Sequence, residues 1–288
     1  LDKTNQSPGA HDDSRGVYIL LPLLNERENI AELLDGIEQS LEGRSYTIGI
    51  IDDGSTDGTV EYLQERMRRA GHHIHLTQRR KTTRGSQRGG ALHDLLLWGL
   101  AHTDHEVFVE MDGDLSHRPE ELPVGLRCLA AGDCDIAVAS KYVPGSDVTR
   151  RPLGRRLVSR TCSAAVRLLI SFRLRDYSNG YRFYTRRAAQ FVAAHKIRYS
   201  NPIYLTEVMA LWLRNRMPVA EFRTTYVGRN EGLSKLRVTD LVKAAVFVFE
   251  IAWRYHLTGF AQALPQNLDP VPHVAAGRGS GVSRRHSA

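Results

Sequence analysis

Long apolar runs are missing from this 288-residue chain. A helix that crosses a bilayer needs about 20 apolar residues in succession. The longest candidate, Ala244-Ala245-Val246-Phe247-Val248-Phe249, is bounded by Lys243 and Glu250 and is extended only by Ile251-Ala252-Trp253. No transmembrane segment and no signal peptide are therefore expected. Cysteine is scarce as well. Cys128, Cys134 and Cys162 have no metal-ligand spacing and cannot all pair, which argues against a disulfide scaffold and for buried thiols in a reducing cytosol. Internal repeats and nucleic-acid recognition motifs are lacking too. The formal net charge of +7 suits anionic partners such as nucleotide diphosphates, lipid phosphates or a membrane surface, and no nucleic acid is expected among them.

What is present begins with Met111-Asp112-Gly113-Asp114-Leu115-Ser116-His117-Arg118-Pro119, which follows the apolar run Val107-Phe108-Val109. Two carboxylates two residues apart at a strand end point the same way along an extended backbone. Their oxygens suit a hard cation such as Mg²⁺ or Mn²⁺ and, through it, a diphosphate. Gly113 between them allows a bulky anion to come close, and a helix is expected to start between Ser116 and Pro119. Upstream, the buried strand Ile48-Gly49-Ile50-Ile51 runs into Asp52-Asp53-Gly54-Ser55-Thr56-Asp57-Gly58-Thr59, with Ser55 or Thr56 placed to cap the next helix. Earlier still, the strand Val17-Tyr18-Ile19-Leu20-Leu21-Pro22 leads to Asn25-Glu26-Arg27-Glu28-Asn29-Ile30, which opens a helix. Carboxylates at the C-terminal ends of parallel strands lie where open α/β sheets bind ligands.

The alternation predicts strands near 17–22, 46–52, 73–78, 107–111 and 135–140 with helices between, hence a mostly parallel, helix-covered α/β sheet. Residues 143–155 read as an arginine-bearing loop, 156–172 as helix, 180–185 and 219–228 as strands, and 202–216 as helix. The domain reading is a polar, disordered segment 1–15, a catalytic domain 16–236, amphipathic helices over 237–262, and a disordered basic tail 263–288. For the amphipathic helices two outcomes stay open: a helix lying in the headgroup layer, with Trp253 and Tyr255 at the boundary, or an ordinary core-packing helix. His72, His73 and His75 begin a strand without metal-ligand partners at useful spacing and read as solvent-facing. The basic run Arg79-Arg80-Lys81 with Arg84 reads as diphosphate-holding or as a solvated loop.

The ordered motifs Pro22-Leu23-Leu24-Asn25-Glu26, Asp52 to Thr59 and Met111 to Pro119 together resemble the family-two glycosyltransferases of GT-A, Rossmann-like fold, and more closely their dolichol- or polyprenol-phosphate mannosyltransferase branch. The likeness continues through Ala139-Ser140-Lys141-Tyr142, Asp176-Tyr177-Ser178-Asn179-Gly180-Tyr181-Arg182, Glu207 and Arg229-Asn230-Glu231-Gly232-Leu233-Ser234-Lys235-Leu236. It implies an inverting, metal-dependent transfer of a sugar, mannose from GDP-mannose, onto a polyprenyl or dolichyl phosphate. Another nucleotide sugar (UDP-glucose or UDP-N-acetylglucosamine), a natural-product acceptor, or a non-catalytic scaffolding relative are the alternatives. By this resemblance Asp112 and Asp114, with Ser116, hold the metal. Pro22, Asn25, Glu26, Asp52, Asp53 and Asp112 meet the nucleotide sugar. Lys141 (where the family has Arg), Arg155, Arg156, Arg229, Ser234 and Lys235 meet phosphate, and Asp112, Asp114, Arg229 and Lys235 carry catalysis. Glu207 orients Arg229 or Arg182, and Asp176 and Arg182 line the sugar pocket or pair with each other. A peripheral position on the cytoplasmic face of a membrane is implied, with room for a membrane-anchoring partner protein. Gly113 stands for the family's Ala, Leu24 for its Tyr, and Tyr177 and Asn179 for smaller residues. Arg84-Gly85-Ser86-Gln87-Arg88-Gly89-Gly90 replaces an expected Gly-Leu-Gly.

Overall fold

Strand β1 (Val17–Leu23) buries both of its sides. Val17, Ile19, Leu21 and Leu23 join one core cluster, while Tyr18 and Leu20 join the other. A strand apolar at both parities belongs inside a sheet covered on two faces. Accordingly β1 lies between β2 (Tyr46–Asp52) and β4 (Val107–Glu110), parallel to both. The computed structural model describes residues 15–70, 73–79, 87–149, 163–164, 166–228 and 246–257. Strands β3 (Ile74–Gln78), β5 (Ile136–Ser140), β7 (Arg182–Thr185) and β8 (Val219–Arg223) complete a seven-stranded sheet in the order β3-β2-β1-β4-β7-β5-β8. Only β7 runs antiparallel, inserted between β4 and β5. A parallel pair, β6 (Asp147–Thr149) with β9 (Thr225–Val227), stands beside it.

The helices are α1 (Ile30–Ser40), α2 (Thr59–Ala70), α3 (Arg88–His102), α4 (Leu122–Ala130), α5 (Arg186–Ala193) and α6 (Tyr204–Arg214). In α1 the apolar spacing Ile30, Leu33, Leu34, Ile37 gives one buried stripe. With Leu63 of α2 and Leu122, Leu126 and Leu129 of α4 it covers one face of the sheet. The other face carries α3, α5, α6 and the helical segment 246–252. Helix α6 is buried along Tyr204 to Leu213, as expected of a helix enclosed by neighbours.

Several elements differ from the sequence expectation. The stretch 219–228 is two strands, because Thr224 breaks the run: its hydroxyl and the Thr225 N–H donate to the Glu121 carboxylate. The stretch 143–155 holds β6, and α5 follows β7 directly, with Thr185 accepting from the Ala188 N–H as its cap. Helix α2 is entered through Asp57, which accepts from Thr59 N–H (3.1 Å) and Thr59 Oγ1 (2.6 Å), while Ser55 turns back to Asp52. The segment after 245 packs one of its sides on the core, as the second alternative expects. Val248, Ile251, Ala252 and Tyr255 are core, whereas Val246, Phe249 and Trp253 are exposed. Glu207 holds this segment, accepting from Tyr255 OH (3.0 Å) as well as from the Arg198 and Tyr199 N–H groups. His75 is partly buried rather than fully solvent-facing: it stacks on Trp98 at 3.7 Å.

Buried charge braces the strand ends. Arg182 is fully buried and donates to the carbonyls of Tyr177 (2.9 Å), Asn179 (2.9 Å) and Leu205 (2.7 Å). Its guanidinium thus ties β7, the preceding loop and α6 together. Asp176, also fully buried, accepts from Ser178 N–H, Ser178 Oγ, Asn179 N–H and Lys141 N–H, with Lys141 Nζ at 3.6 Å. Burial opposes ionisation of Asp176, but Lys141 and these donors outweigh it and hold its pKa below the usual carboxylate value. A carboxylate depressed on folding contributes stability above its unfolded pKa of about 3.9 and loses it as pH falls through the lower folded value. Asp176→Asn is expected to lower the unfolding free energy by on the order of 3 kcal/mol near neutral pH. Urea denaturation should show the gap to the wild type narrowing as the pH is taken below 3.9; a gap of constant size would contradict this placement of the charge.

Candidate functional site

Strand β4 stops at Glu110, opposite Leu20, while β1 and β2 continue together to Leu23 and Asp52. The step leaves a rim at the C-terminal ends of β1, β2 and β4, and the three sequence motifs meet there. Pro22 pairs with Ile51 beyond the end of β4, where its missing N–H costs no ladder bond. Asn25, in the left-handed region at φ 55°, ties the first motif to the second: its N–H donates to Ser55 Oγ (2.8 Å) and its Oδ1 accepts from Thr56 N–H (2.8 Å). Glu26 is nearly buried, donates its N–H to Thr59 Oγ1 and accepts from Asn29 Nδ2 (2.9 Å).

The two neighbouring aspartates at the end of β2, Asp52 within it and Asp53 just after it, have different surroundings. Asp52 is buried, and its oxygens accept from the Gly54 and Ser55 N–H groups (3.0 and 2.9 Å) and from the Ser55 hydroxyl. Its carboxylate thus closes its own turn. Asp53 Oδ1 receives both Nε (2.9 Å) and Nη2 (2.7 Å) of Arg79, whose Nη1 reaches Asp94 Oδ2 at 2.7 Å. Arg79, Asp53 and Asp94 form a charged wall at the end of β3, half open to solvent, of a kind that can read the edge of a nucleobase.

The turn after β4 holds Asp112 and Asp114. Asp114 Oδ1 accepts from Ser116 N–H (3.1 Å), and Leu115 takes φ 57° to let the chain reverse. Pro119 then starts a single turn, Pro119–Glu121, that leads into α4. Gly113 lies against the first motif: a Cβ there would come 2.3 Å from Leu23 Cδ2 and 3.2 Å from Glu26 Cγ. Leu23 fills the room that the family's Ala would take.

Two partners of Asp112 were not legible as site residues. The Asp112 N–H donates to His117 Nδ1 (3.0 Å), and His117 Nε2 meets Asn179 Oδ1 (2.9 Å). Asn179 Nδ2 donates to the Ala139 carbonyl, so its Oδ1 is the acceptor. This pattern assigns a neutral imidazole with the proton on Nε2. Burial lowers the His117 pKa in the same direction, against the pull of Asp112 and Asp114. The ring stacks on Tyr181 at 5.0 Å. Arg88, the first residue of α3, places Nε (2.6 Å) and Nη2 (2.5 Å) on Asp112 Oδ1. Behind it Glu110 is fully buried and accepts from Tyr184 OH at 3.2 Å; burial raises its pKa against Arg182 and Arg88.

Lys141 lies near the same rim, its Nζ 4.9 Å over the Tyr226 ring and 3.4 Å from Ser178 Oγ. Tyr226 also packs edge-on to His117, which links the Asp112 turn to the Lys141 side. Tyr177 and Asn179, the residues larger than the family's, are both buried, and Tyr177 OH donates to the Ser171 carbonyl (2.6 Å). Arg182 does not pair with Asp176 and has no face on the rim. Arg155, Arg156, Arg229, Ser234 and Lys235, with Arg80, Lys81 and Arg84, lie outside the described residues.

Asp112 and Asp114 are hard oxygen donors. Ser116 follows them, 1% exposed, with an Oγ that has no hydrogen-bond partner among the described residues. Among those residues no group of three His, Cys, Asp or Glu side chains could hold a metal. The donors therefore fit a Mg²⁺ or Mn²⁺ that takes its remaining ligands from a diphosphate and water.

Comparison with known proteins identifies the family. The profile of glycosyl transferase family 2 matches residues 18–193. Polyprenol monophosphomannose synthase of Mycolicibacterium smegmatis is 29% identical over 85% of the chain and 90% of its own length. Dolichol-phosphate mannosyltransferase of Pyrococcus furiosus is 30% identical over 77% of the chain, which spans 59% of that relative. Undecaprenyl-phosphate mannosyltransferase of Micrococcus luteus is 30% identical over 76% of the chain and 87% of its own length. Among solved structures, glucosyl-3-phosphoglycerate synthase from Mycobacterium tuberculosis, in complex with Mn²⁺, uridine-diphosphate and phosphoglyceric acid, superposes with a TM-score of 0.62 at 19% identity, covering 88% of this chain and 86% of that one. That likeness shows a shared GT-A fold. With the three motifs gathered on one rim of such a sheet, the chain belongs to glycosyl transferase family 2 and is a glycosyltransferase.

Proposed function

We propose that this enzyme moves a mannosyl unit from GDP-mannose to a polyprenyl or dolichyl phosphate, with inversion at the anomeric carbon and a divalent metal at Asp112 and Asp114. The observation that carries the reading is that the three relatives above, each aligned over 76% or more of this chain, are all named for mannose and a polyprenyl-type phosphate. The Asp112–Asp114 turn on the rim supports it.

The chemistry asks little of a base. A lipid monophosphate has a second pKa near ~6 and is largely a dianion at neutral pH. One of its oxygens attacks the anomeric carbon, the bond from that carbon to the β-phosphate oxygen breaks, and the nucleoside diphosphate leaves with the electron pair. No proton has to be removed from the acceptor. A bound Mg²⁺ or Mn²⁺ supplies charge neutralisation on the leaving diphosphate. Asp112, Asp114 and Ser116 would hold it, and Glu26 stands beside them next to Gly113. Asp53 and Arg79 offer an acceptor and a donor edge to the base, and Lys141 offers a cation to the acceptor phosphate as a point charge. Asn25 and Asp52 support the nucleotide pocket by fixing the backbone of its turns. The phosphate roles of Arg155, Arg156, Arg229, Ser234 and Lys235 remain part of the proposal by resemblance. Catalytic function is assigned to Asp112 and Asp114 with Arg229 and Lys235.

A polyprenyl-phosphate acceptor would bring the enzyme against a membrane. No helix among the described residues is long and apolar enough to cross one. Leu168, Leu169 and Phe172 are exposed, as are Val246, Phe249 and Trp253. Their neighbours Val166, Ile170, Val248 and Ile251 enter the same core cluster. Two segments with anchored inner sides and apolar outer sides support an interfacial contact with a membrane, and its cytoplasmic face is proposed by resemblance alone.

Transfer is tested with radiolabelled GDP-mannose, UDP-glucose and UDP-N-acetylglucosamine against polyprenyl phosphate and Mn²⁺. Label is expected in lipid from GDP-mannose, and Asp114→Asn should reduce it at least a hundredfold, roughly the loss seen when a charge-stabilising group is removed. Lipid labelling from a UDP-sugar alone would replace the donor, and full activity in excess chelator would remove the metal. For the membrane, the double variant Phe249→Ser with Trp253→Ser should lose sedimentation with anionic vesicles while keeping its melting temperature, since both side chains are exposed. Unchanged vesicle binding would contradict the interfacial contact.

A further inference from the structure

Arg88 stands in contact with the carboxylate proposed to hold the metal. Both Nε and Nη2 lie within 2.6 Å of Asp112 Oδ1, and the Arg88 side chain is only 18% exposed. Its route is built around it. A Cβ on Gly180 would lie 2.3 Å from Arg88 Nη2, so in this position the guanidinium packs directly over the glycine backbone. The first turn of α3 is equally fixed. A Cβ on Gly89 would meet Tyr204 Cβ at 2.4 Å, and Gly90 N–H donates to the Ser200 carbonyl at 2.9 Å. The guanidinium is therefore a resident cation and not a mobile surface charge.

We infer that Arg88 is the counter-ion that makes metal binding depend on the nucleotide. The inference rests on the proposed divalent metal at Asp112 and Asp114 and deepens that reading. Affinity of an oxygen site for a divalent cation follows the number of ligand charges. Here Asp112 and Asp114 supply two carboxylates, no group of three is available among the described residues, and Asp112 is already compensated by a guanidinium. A bare divalent ion meets a site short of negative charge and next to a fixed positive one. A nucleoside diphosphate reverses both conditions: it brings phosphate oxygens as further ligands and gives Arg88 a further anionic partner. Metal and nucleotide then bind as a pair, and by linkage each tightens the other by the same factor. Arg88 is a positioning residue in this account: it acts through Asp112 and the diphosphate, not on the anomeric carbon.

A group that merely shapes the Asp112 turn and one that withholds charge from it differ in sign. The test uses the full chain and Mn²⁺ alone, with free Mn²⁺ followed by electron paramagnetic resonance, then repeats the titration with GDP and with UDP. Wild-type protein should bind Mn²⁺ weakly alone and at least about tenfold more tightly with a nucleoside diphosphate. Arg88→Met should bind Mn²⁺ alone about tenfold more tightly than wild type, and the gain from nucleotide should shrink by a similar factor. Arg88→Lys, which keeps the charge, should stay weak without nucleotide. If the Met variant fails to fold, Arg88→Gln removes the charge and keeps a donor for Asp112, with the same expectation. Equal or weaker Mn²⁺ binding by the uncharged variants, or wild-type binding that is independent of nucleotide, would overturn the inference. Coupling seen with UDP and not GDP would leave it standing and sink only the proposed donor. Absence of Mn²⁺ binding with either nucleotide would sink the metal reading and this inference together.

Discussion

The hydrogen bond from the Asp112 N–H to the His117 side chain, at Nδ1, fixes the turn that presents Asp112 and Asp114 on the rim. It closes a turn whose reversal needs Leu115 at positive φ, and it does so with a ring that is itself buried and stacked. The ring can accept there only as the neutral imidazole with its proton on Nε2, and Asn179 supplies the acceptor that holds that tautomer. Asn179 in turn is fixed by the Ala139 carbonyl at the end of β5 and by the Asp176 turn. The chain of contacts runs from β4 across the inserted strand β7 to β5. The carboxylates of Asp112 and Asp114 are thereby presented on a rigid support, with their geometry set before a ligand arrives.

The same insertion explains why so much charge is buried. Strand β7 puts Arg182 and Glu110 in register across an interior pair, and α6 covers them. Arg182 is satisfied by three carbonyls and so ties the loop 177–179 to α6; Glu110 is held by Tyr184, with its pKa raised by burial. Such charges contribute little net stability compared with an apolar core of equal volume. What they do here is fix directions: Arg182 aims the loop that carries Asn179, and Asp176 aims Lys141. The positive charge of Arg88 completes the pattern, entering from α3, in the same layer as α6, beside Gly180.

The parallel half of the fold was legible because its signals are local. The strands near 17–22, 46–52 and 107–111 each show a short apolar run ending in a polar cluster, and β1, β2 and β4 match them within two residues. The carboxylates at those ends were legible for the same reason. The resemblance to family-two glycosyltransferases followed from motif order and is the family that the comparisons show. What sequence could not supply were pairings between distant segments. The antiparallel insertion of β7 depends on contacts with β4, some 75 residues earlier, as in Val107 with Thr185. His117 was in plain view within the motif, but its partner lies 62 residues away, and Arg88 lies 24 residues before Asp112 in a segment that departs from the family pattern. Short elements failed for a different reason: β6 and β9 have three residues each, too few for a period to show, and Thr224 breaks its run through a side-chain bond to Glu121.

The central claim is that the turn after β4 is where the metal and the diphosphate meet. Anomalous diffraction at the manganese edge, from crystals grown with Mn²⁺ and GDP, tests this most directly. The account predicts one strong peak within coordination reach of the Asp112 and Asp114 carboxylates, with Arg88 in contact with both Asp112 and a phosphate oxygen. A peak bound elsewhere on the protein, with GDP seated away from the ends of β1, β2 and β4, would contradict it.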